Sequence, residues 1–153
     1  MRKLAFALLG LASAAPALAA GDLSRQDPIE IVVELGRPGT HAFFPHRIEL
    51  ETGKLYKLVL TNKSEAPHYF TSHDFSQRVF TRKVQVVSAA ADKAVLAEFK
   101  GAIREIEVYP GQTAEWWLVP VATGHVTDLQ CGIREKDGKT HAEHGMVGEI
   151  VIR

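Results

Sequence analysis

The chain is 153 residues long, with 18 Lys and Arg against 18 Asp and Glu, seven histidines and one cysteine. That length supports one domain with a core of its own, and the scattered, balanced charge lacks the basic patch that nucleic-acid binding requires. A single cysteine excludes an internal disulfide.

Arg2 and Lys3 precede an apolar run, residues 4–15, that is too short to span a bilayer. Ala17-Leu18-Ala19 then supplies the small residues of a cleavage site, so residues 1–20 read as a secretory signal peptide. No cysteine lies near the cleavage point for lipid attachment, and no second hydrophobic span follows. The mature domain, residues 21–153, is expected in the periplasm without membrane insertion. An unpaired thiol in an oxidising compartment is a liability unless it is buried or bound, which makes Cys131 the first residue to explain.

The mature chain reads as a succession of strands. Residues 28–35 alternate and are β-branched, and a turn follows at residues 36–39. Residues 44–50 form the next strand, with Pro45 at its start, where a missing donor is tolerated. After a turn at 51–54, residues 55–62 alternate with apolar side chains on one face. A polar loop at 63–67 leads into 68–75, and 81–87 is another short run. Residues 88–103 differ in kind: Ser88 is a good N-cap, three alanines follow, and Val95, Leu96 and Phe99 recur at helical spacing before Gly101. This predicts one short inserted helix. Strands resume at 104–109, 113–119, 125–133 and 147–152. Trp116 and Trp117, adjacent in a strand, are expected to face opposite sides. The pattern predicts an all-β Greek-key sandwich or barrel of about eight strands with one helix.

The chemistry concentrates near the C-terminus. Cys131, His141, His144 and Met146 lie in one loop between the last two strands. Thiolate sulfur with imidazole suits copper, which must be held in both Cu(I) and Cu(II), and a Cys-His-His set with a weak axial Met is the electron-transfer form. The remaining imidazole has to come from elsewhere. His68, after the polar loop and held by Pro67, stands at the start of a strand; His73 is its rival. His41, His46 and His125 read as surface or structural histidines.

These parts together resemble the cupredoxin family of blue copper proteins. The residues that carry the likeness are an F-x-P-x-x-I-x-L-x-x-G stretch from Phe43 to Gly53, the segment from Asn62 to His68, and the Pro110-Gly111 turn before a strand. Last comes Cys131, His141 and Gly145-Met146-Val147-Gly148. The resemblance implies a Greek-key cupredoxin domain with one copper ion held by His68, Cys131, His141 and Met146. His141 is preferred to His144 because its five-residue step to Met146 matches the family. Nine residues separate Cys131 from His141, more than in simple blue copper proteins, and the extra Lys136-Asp137-Gly138-Lys139 is expected to form a surface turn.

Several activities are open to such a domain. An electron carrier that meets a redox partner protein is the first expectation. Multicopper oxidases flank the cysteine with histidines, whereas Gln130 and Gly132 stand here, so four-electron oxygen reduction is disfavoured. Copper storage favours many methionines, and the mature chain has only Met146. The alternative implied by resemblance is copper-dependent oxidation of ferrous iron, as an accessory of a periplasmic iron-uptake system with an iron permease or iron-binding protein as partner. His41, His46 and His73 with nearby acids would then hold the iron.

Overall fold

The computed structural model describes residues 23–88, 90, 93 and 95–153. The expected signal peptide lies outside the described residues. Among these residues eleven strands and one α-helix follow in order: β1 (Ile29–Arg37), β2 (Thr40–Phe44), β3 (Arg47–Leu50), β4 (Tyr56–Thr61), β5 (His68–Thr71), α1 (His73–Arg78), β6 (Val79–Val87), β7 (Val95–Phe99), β8 (Glu105–Val108), β9 (Thr113–Pro120), β10 (Gly124–Gln130) and β11 (Val147–Ile152). No helix among them is long and apolar enough to cross a membrane.

The strands form two sheets, ordered β2-β1-β4-β9-β6-β7 and β3-β11-β10-β5-β8. Pairing is parallel between β1 and β4 and between β3 and β11, and antiparallel elsewhere. Side chains that alternate along each strand build the core between the sheets. Tyr56, Leu58 and Leu60 of β4 face Ala114, Trp116 and Leu118 of β9 in register, and all six are buried. Trp116 meets Phe70 and Phe75 edge to face, with centroids 6.2 and 5.3 Å away, and its indole N–H donates to Thr81 Oγ1 at 3.0 Å. Trp117 turns outward beneath the ammonium groups of Lys83 and Lys57.

One irregularity positions the site. On β10 the buried residues Val126 and Leu129 are three apart, and the register against β11 shifts between them. This extra residue resets the two-residue alternation, so Leu129 and, two positions on, Cys131 both point into the core.

Three segments depart from the sequence reading. Residues 44–50 are not one strand: the chain leaves the first sheet after Phe44 and joins the second at Arg47. Residues 68–75 divide into β5 and the start of α1, because Ser72 caps a helix there. Its Oγ accepts from Phe75 N–H at 3.0 Å, and the Asp128 carboxylate of β10 takes the Ser72 hydroxyl and, at 2.9 Å, the Asp74 N–H. The helix expected over 88–103 is absent where that segment is described. Val95–Phe99 instead pairs antiparallel with β6 at the sheet edge, with Val95 and Phe99 about half exposed. A four-residue spacing fits one face of a helix and one face of a strand alike, so Val95 and Phe99 did not discriminate.

Candidate metal centre

Cys131 follows β10 directly, His68 opens β5, and His141 lies in the tight turn before β11; all three are fully buried. Their donor atoms converge. His68 Nδ1 and His141 Nδ1 are 3.0 Å apart, and Cys131 Sγ lies 3.3 Å from His141 Nδ1 and 3.8 Å from His68 Nδ1. A three-coordinate ion with bonds of about 2.3 Å to sulfur and about 2.0 Å to nitrogen would hold the nitrogens about 3.5 Å apart and each about 3.7 Å from the sulfur. The triangle present is within about half an ångström of that on every side.

The outer nitrogen of each imidazole decides what the inner one can do. Asn62 Nδ2 donates to Ala66 O and Val108 O, which turns Asn62 Oδ1 toward Ser64. The Ser64 hydroxyl lies 2.9 Å from both Asn62 Oδ1 and Ala66 O, neither of which has a hydrogen to give. Its own hydrogen therefore goes to one of them, and its oxygen accepts from His68 Nε2–H at 2.8 Å. On the other ring, His141 Nε2 donates to Glu135 Oε1 at 2.9 Å. That hydrogen bond holds the Glu135 carboxyl below its usual range, so it is an acceptor. Both Nδ1 lone pairs then face each other across 3.0 Å beside one thiol. Two buried acceptors with a single hydrogen between them are poorly satisfied without a cation, and a soft sulfur with two imidazole nitrogens is the donor set that copper favours.

Burial sets the titration of the centre. It pushes the Cys131 thiol up, against the backbone N–H groups of Ile133 and Tyr69, the latter 3.3 Å from Sγ. Without an ion this sulfur is a thiol, and ion binding must release its proton. Burial first, then the neighbouring His141, pushes His68 down to about 4. The ring is thus neutral and able to ligate near neutral pH.

The backbone fixes all three residues. Cys131 N–H donates to Met146 O and Cys131 O accepts from Ala142 N–H. His141 N–H donates to Ile133 O at 2.8 Å, and His141 O accepts from Met146 N–H at 2.8 Å. Met146 is thereby tied by its main chain to both Cys131 and His141, with its side chain fully buried. Gly36 presses on His68 from outside: at φ +73° it has room only for a hydrogen, since a Cβ would lie 2.4 Å from His68 Nε2.

The rivals lie elsewhere. His144 is partly exposed and its Nε2 pairs with Asp137 at 3.0 Å. His73 is exposed on α1, 2.8 Å from Gln77. His46 is exposed, and His125 pairs with Glu149 at the surface. His41, His46 and His73 do not form one ligand group among the described residues; only His41 joins the site. Its ring stacks on His141 at 4.0 Å and 22°, and nitrogens of His41, His68 and His141 lie within 4.8 Å of one another. The sulfur-containing triangle is tighter, with all sides at or under 3.8 Å, and His41 lies outside it.

Sequence reasoning missed Ser64 and Glu135, and it grouped His41 with His46 and His73 rather than beside His68 and His141. His41 shares the inward face of β2 with Phe43, two positions away, which the alternation rule would have found. Glu135 lies between Cys131 and His141, directly before the extra residues 136–139. These form a small hairpin closed by the Arg134–Thr140 bridge, with Gly138 in its turn. The surface turn expected there is present, and it delivers a carboxylate to the buried ring of His141.

Two packed sheets with this strand order, and a buried Cys-His-His cluster at one end, define a cupredoxin-type sandwich. No known family profile and no curated protein matches the chain. Among solved structures, McoA multicopper oxidase from Aquifex aeolicus is similar at 14% identity and TM-score 0.58, over 94% of this chain and 32% of that one. The Cu-containing nitrite reductase NirK from Thermus scotoductus matches at 13% and 0.55, over 86% and 32%. Auracyanin A, a blue copper protein from Chloroflexus aurantiacus, matches at 16% and 0.49, over 83% and its whole length. The chain spans about a third of the two enzymes it matches, and the likeness is one of fold.

Proposed function

We propose that this protein is a periplasmic mononuclear copper protein that transfers electrons, in which His68, Cys131 and His141 would hold the ion and the buried Met146 thioether would be a further, weaker donor. The observation that carries the reading is the Nδ1–Nδ1–Sγ triangle, with both outer nitrogens already engaged by Ser64 and Glu135. Copper bound there supplies a one-electron couple between Cu(I) and Cu(II). The chain's own residues do the rest. Main-chain hydrogen bonds hold the Cys131, His141 and Met146 segments to one another, and Ser64 and Gly36 hold His68, so donor positions need change little between the two charge states. Full burial of the donors excludes water and substrate from the ion, which favours a carrier over an oxygen-reducing centre. Electrons reach the surface through His141, whose outer edge meets Glu135 and His41.

The alternative, copper-dependent oxidation of ferrous iron beside an iron permease or iron-binding periplasmic protein, is favoured by one observation. The rim over His141 is an imidazole and a carboxylate, where a protein-docking carrier would be served by an apolar surface. Repeated reduction and reoxidation of the copper-loaded protein tests the main reading. We expect one electron per chain, with the copper retained in both states. Release of the ion on reduction would contradict it.

A further inference from the structure

We propose that His41 and Glu135 form a second, outer site for a divalent transition-metal cation, joined to the buried centre through the Glu135–His141 hydrogen bond. The binding half stands on the side chains below; the electron-transfer half rests on the copper reading above.

His41 Nε2 and Glu135 Oε1 are 3.6 Å apart. That is too long for a hydrogen bond, yet it is the separation two donors take when both bind one ion at about 2.1 Å with an angle near the tetrahedral value. The other nitrogen of the ring, His41 Nδ1, is buried without a hydrogen-bond partner. A neutral imidazole keeps one lone pair and one N–H. If the proton sits on Nδ1, the lone pair of Nε2 faces a carboxylate oxygen, an arrangement that a cation between them would satisfy.

The surroundings suit an ion arriving from solvent. The side chains of His41 and Glu135 are 29% and 37% exposed, and both line a cleft of about 510 Å³ with Ser64 and Glu65. His144 stands beside His41, ring centroids 6.0 Å apart, and carries Asp137 with it. Arg37 and Lys136 also line the cleft, but Arg37 is engaged by Glu34 at 2.7 Å. One carboxylate and one or two imidazoles make a borderline donor set, suited to divalent first-row ions and poor for Ca²⁺ or Mg²⁺. Glu135 Oε1 touches His141 Nε2 directly, so an ion held here is one carboxylate and one ring away from the inner donors. Where the outer ion is a one-electron reductant such as Fe²⁺, it becomes Fe³⁺ as Cu(II) becomes Cu(I), and no atom moves between the sites.

The test uses Zn²⁺ as a redox-silent probe on the Cu(I)-loaded protein, followed by calorimetry. We expect one additional Zn²⁺ per chain, bound at least tenfold more weakly in Glu135→Gln and in His41→Phe. His41→Phe keeps the stacked ring and touches none of the inner donors or their hydrogen-bond partners, so it retains the Cu(II)-thiolate colour. In a second arm, reduction of the Cu(II) protein by Fe²⁺ slows at least tenfold in His41→Phe, while reduction by ascorbate does not. Absence of the extra Zn²⁺, or equal binding by all three proteins, overturns the proposal. If copper never binds the inner site, the copper reading fails on its own. The outer site is then judged by comparing Zn²⁺ binding in Cys131→Ala with and without Glu135→Gln: a tenfold loss supports it and no difference overturns it.

Discussion

Replacing Ser64 with alanine removes one oxygen and tests the orientation of an entire ligand. Ser64 Oγ accepts from His68 Nε2–H at 2.8 Å, in a pocket where the ring is fully buried. Deleting it leaves that N–H without a partner, at about 1–3 kcal/mol. It also frees the proton to move to Nδ1, which blocks the inner lone pair. Loss of such an orienting partner lowers metal affinity by about 10- to 100-fold, equivalent to about 1.4–2.7 kcal/mol. Competition for Cu(I) against a chromophoric chelator reads the affinity, and urea unfolding of the metal-free protein reads the stability. Ser64→Thr keeps the hydroxyl and should fall near the parent in affinity. An alanine variant that binds Cu(I) within about twofold of the parent would refute the tautomer argument.

Three other outcomes follow from the same geometry. Gly36→Ala puts a Cβ 2.4 Å from His68 Nε2 on a backbone with φ +73°; we expect a loss of at least about 2 kcal/mol in urea unfolding, from strain and ring displacement together, and a parental midpoint would contradict this. Acidification should destabilise the metal-free protein, because the folded His68 has a pKa of about 4 against 6.5 for the free side chain. The unfolded chain binds more protons in that interval, so stability is full above about pH 6.5, falls as the pH drops and levels off below about 4, a change of order 3 kcal/mol; unfolding midpoints that stay flat over this range would count against a neutral, buried ring. Finally, His68→Ala and His141→Ala should abolish the colour of the copper-loaded protein while His73→Ala and His144→Ala keep it, and visible spectra of the four variants decide whether the ligands are correctly chosen.

How much of this was legible beforehand depends on how local each signal is. β11 was readable as residues 147–152 and β4 to within a residue, because their alternation is uninterrupted. Cys131 and His141 announced themselves through their proximity in one loop, and His68 through its place after a polar loop at a strand start. The placement of the helix failed for two reasons. The capping residue Ser72 sits inside a mixed polar and aromatic stretch, residues 68–75, that reads equally as strand, and the 95–99 segment has a spacing that both structures share. His41 has no neighbour in sequence that hints at a metal; only the pairing of β2 with β1 and the turn at His141 bring its ring against the site. Glu135 lies in a segment whose length was noticed and whose content was taken for solvent-facing polarity. Cys131 and His141 are close in the chain, and Ser64 and Glu135 are close to the rings they orient, whereas His68 and His41 reach the site through long-range packing.

The central claim is that Cys131 serves as a metal-bound thiolate in company with two Nδ1 nitrogens. The visible and paramagnetic resonance spectra of the Cu(II)-loaded protein, taken beside those of Cys131→Ser, test it most directly. The account predicts one Cu(II) per chain with an intense thiolate-to-copper charge-transfer band that disappears in Cys131→Ser. A parent protein that binds copper without that band, or a serine variant that keeps it, would contradict it.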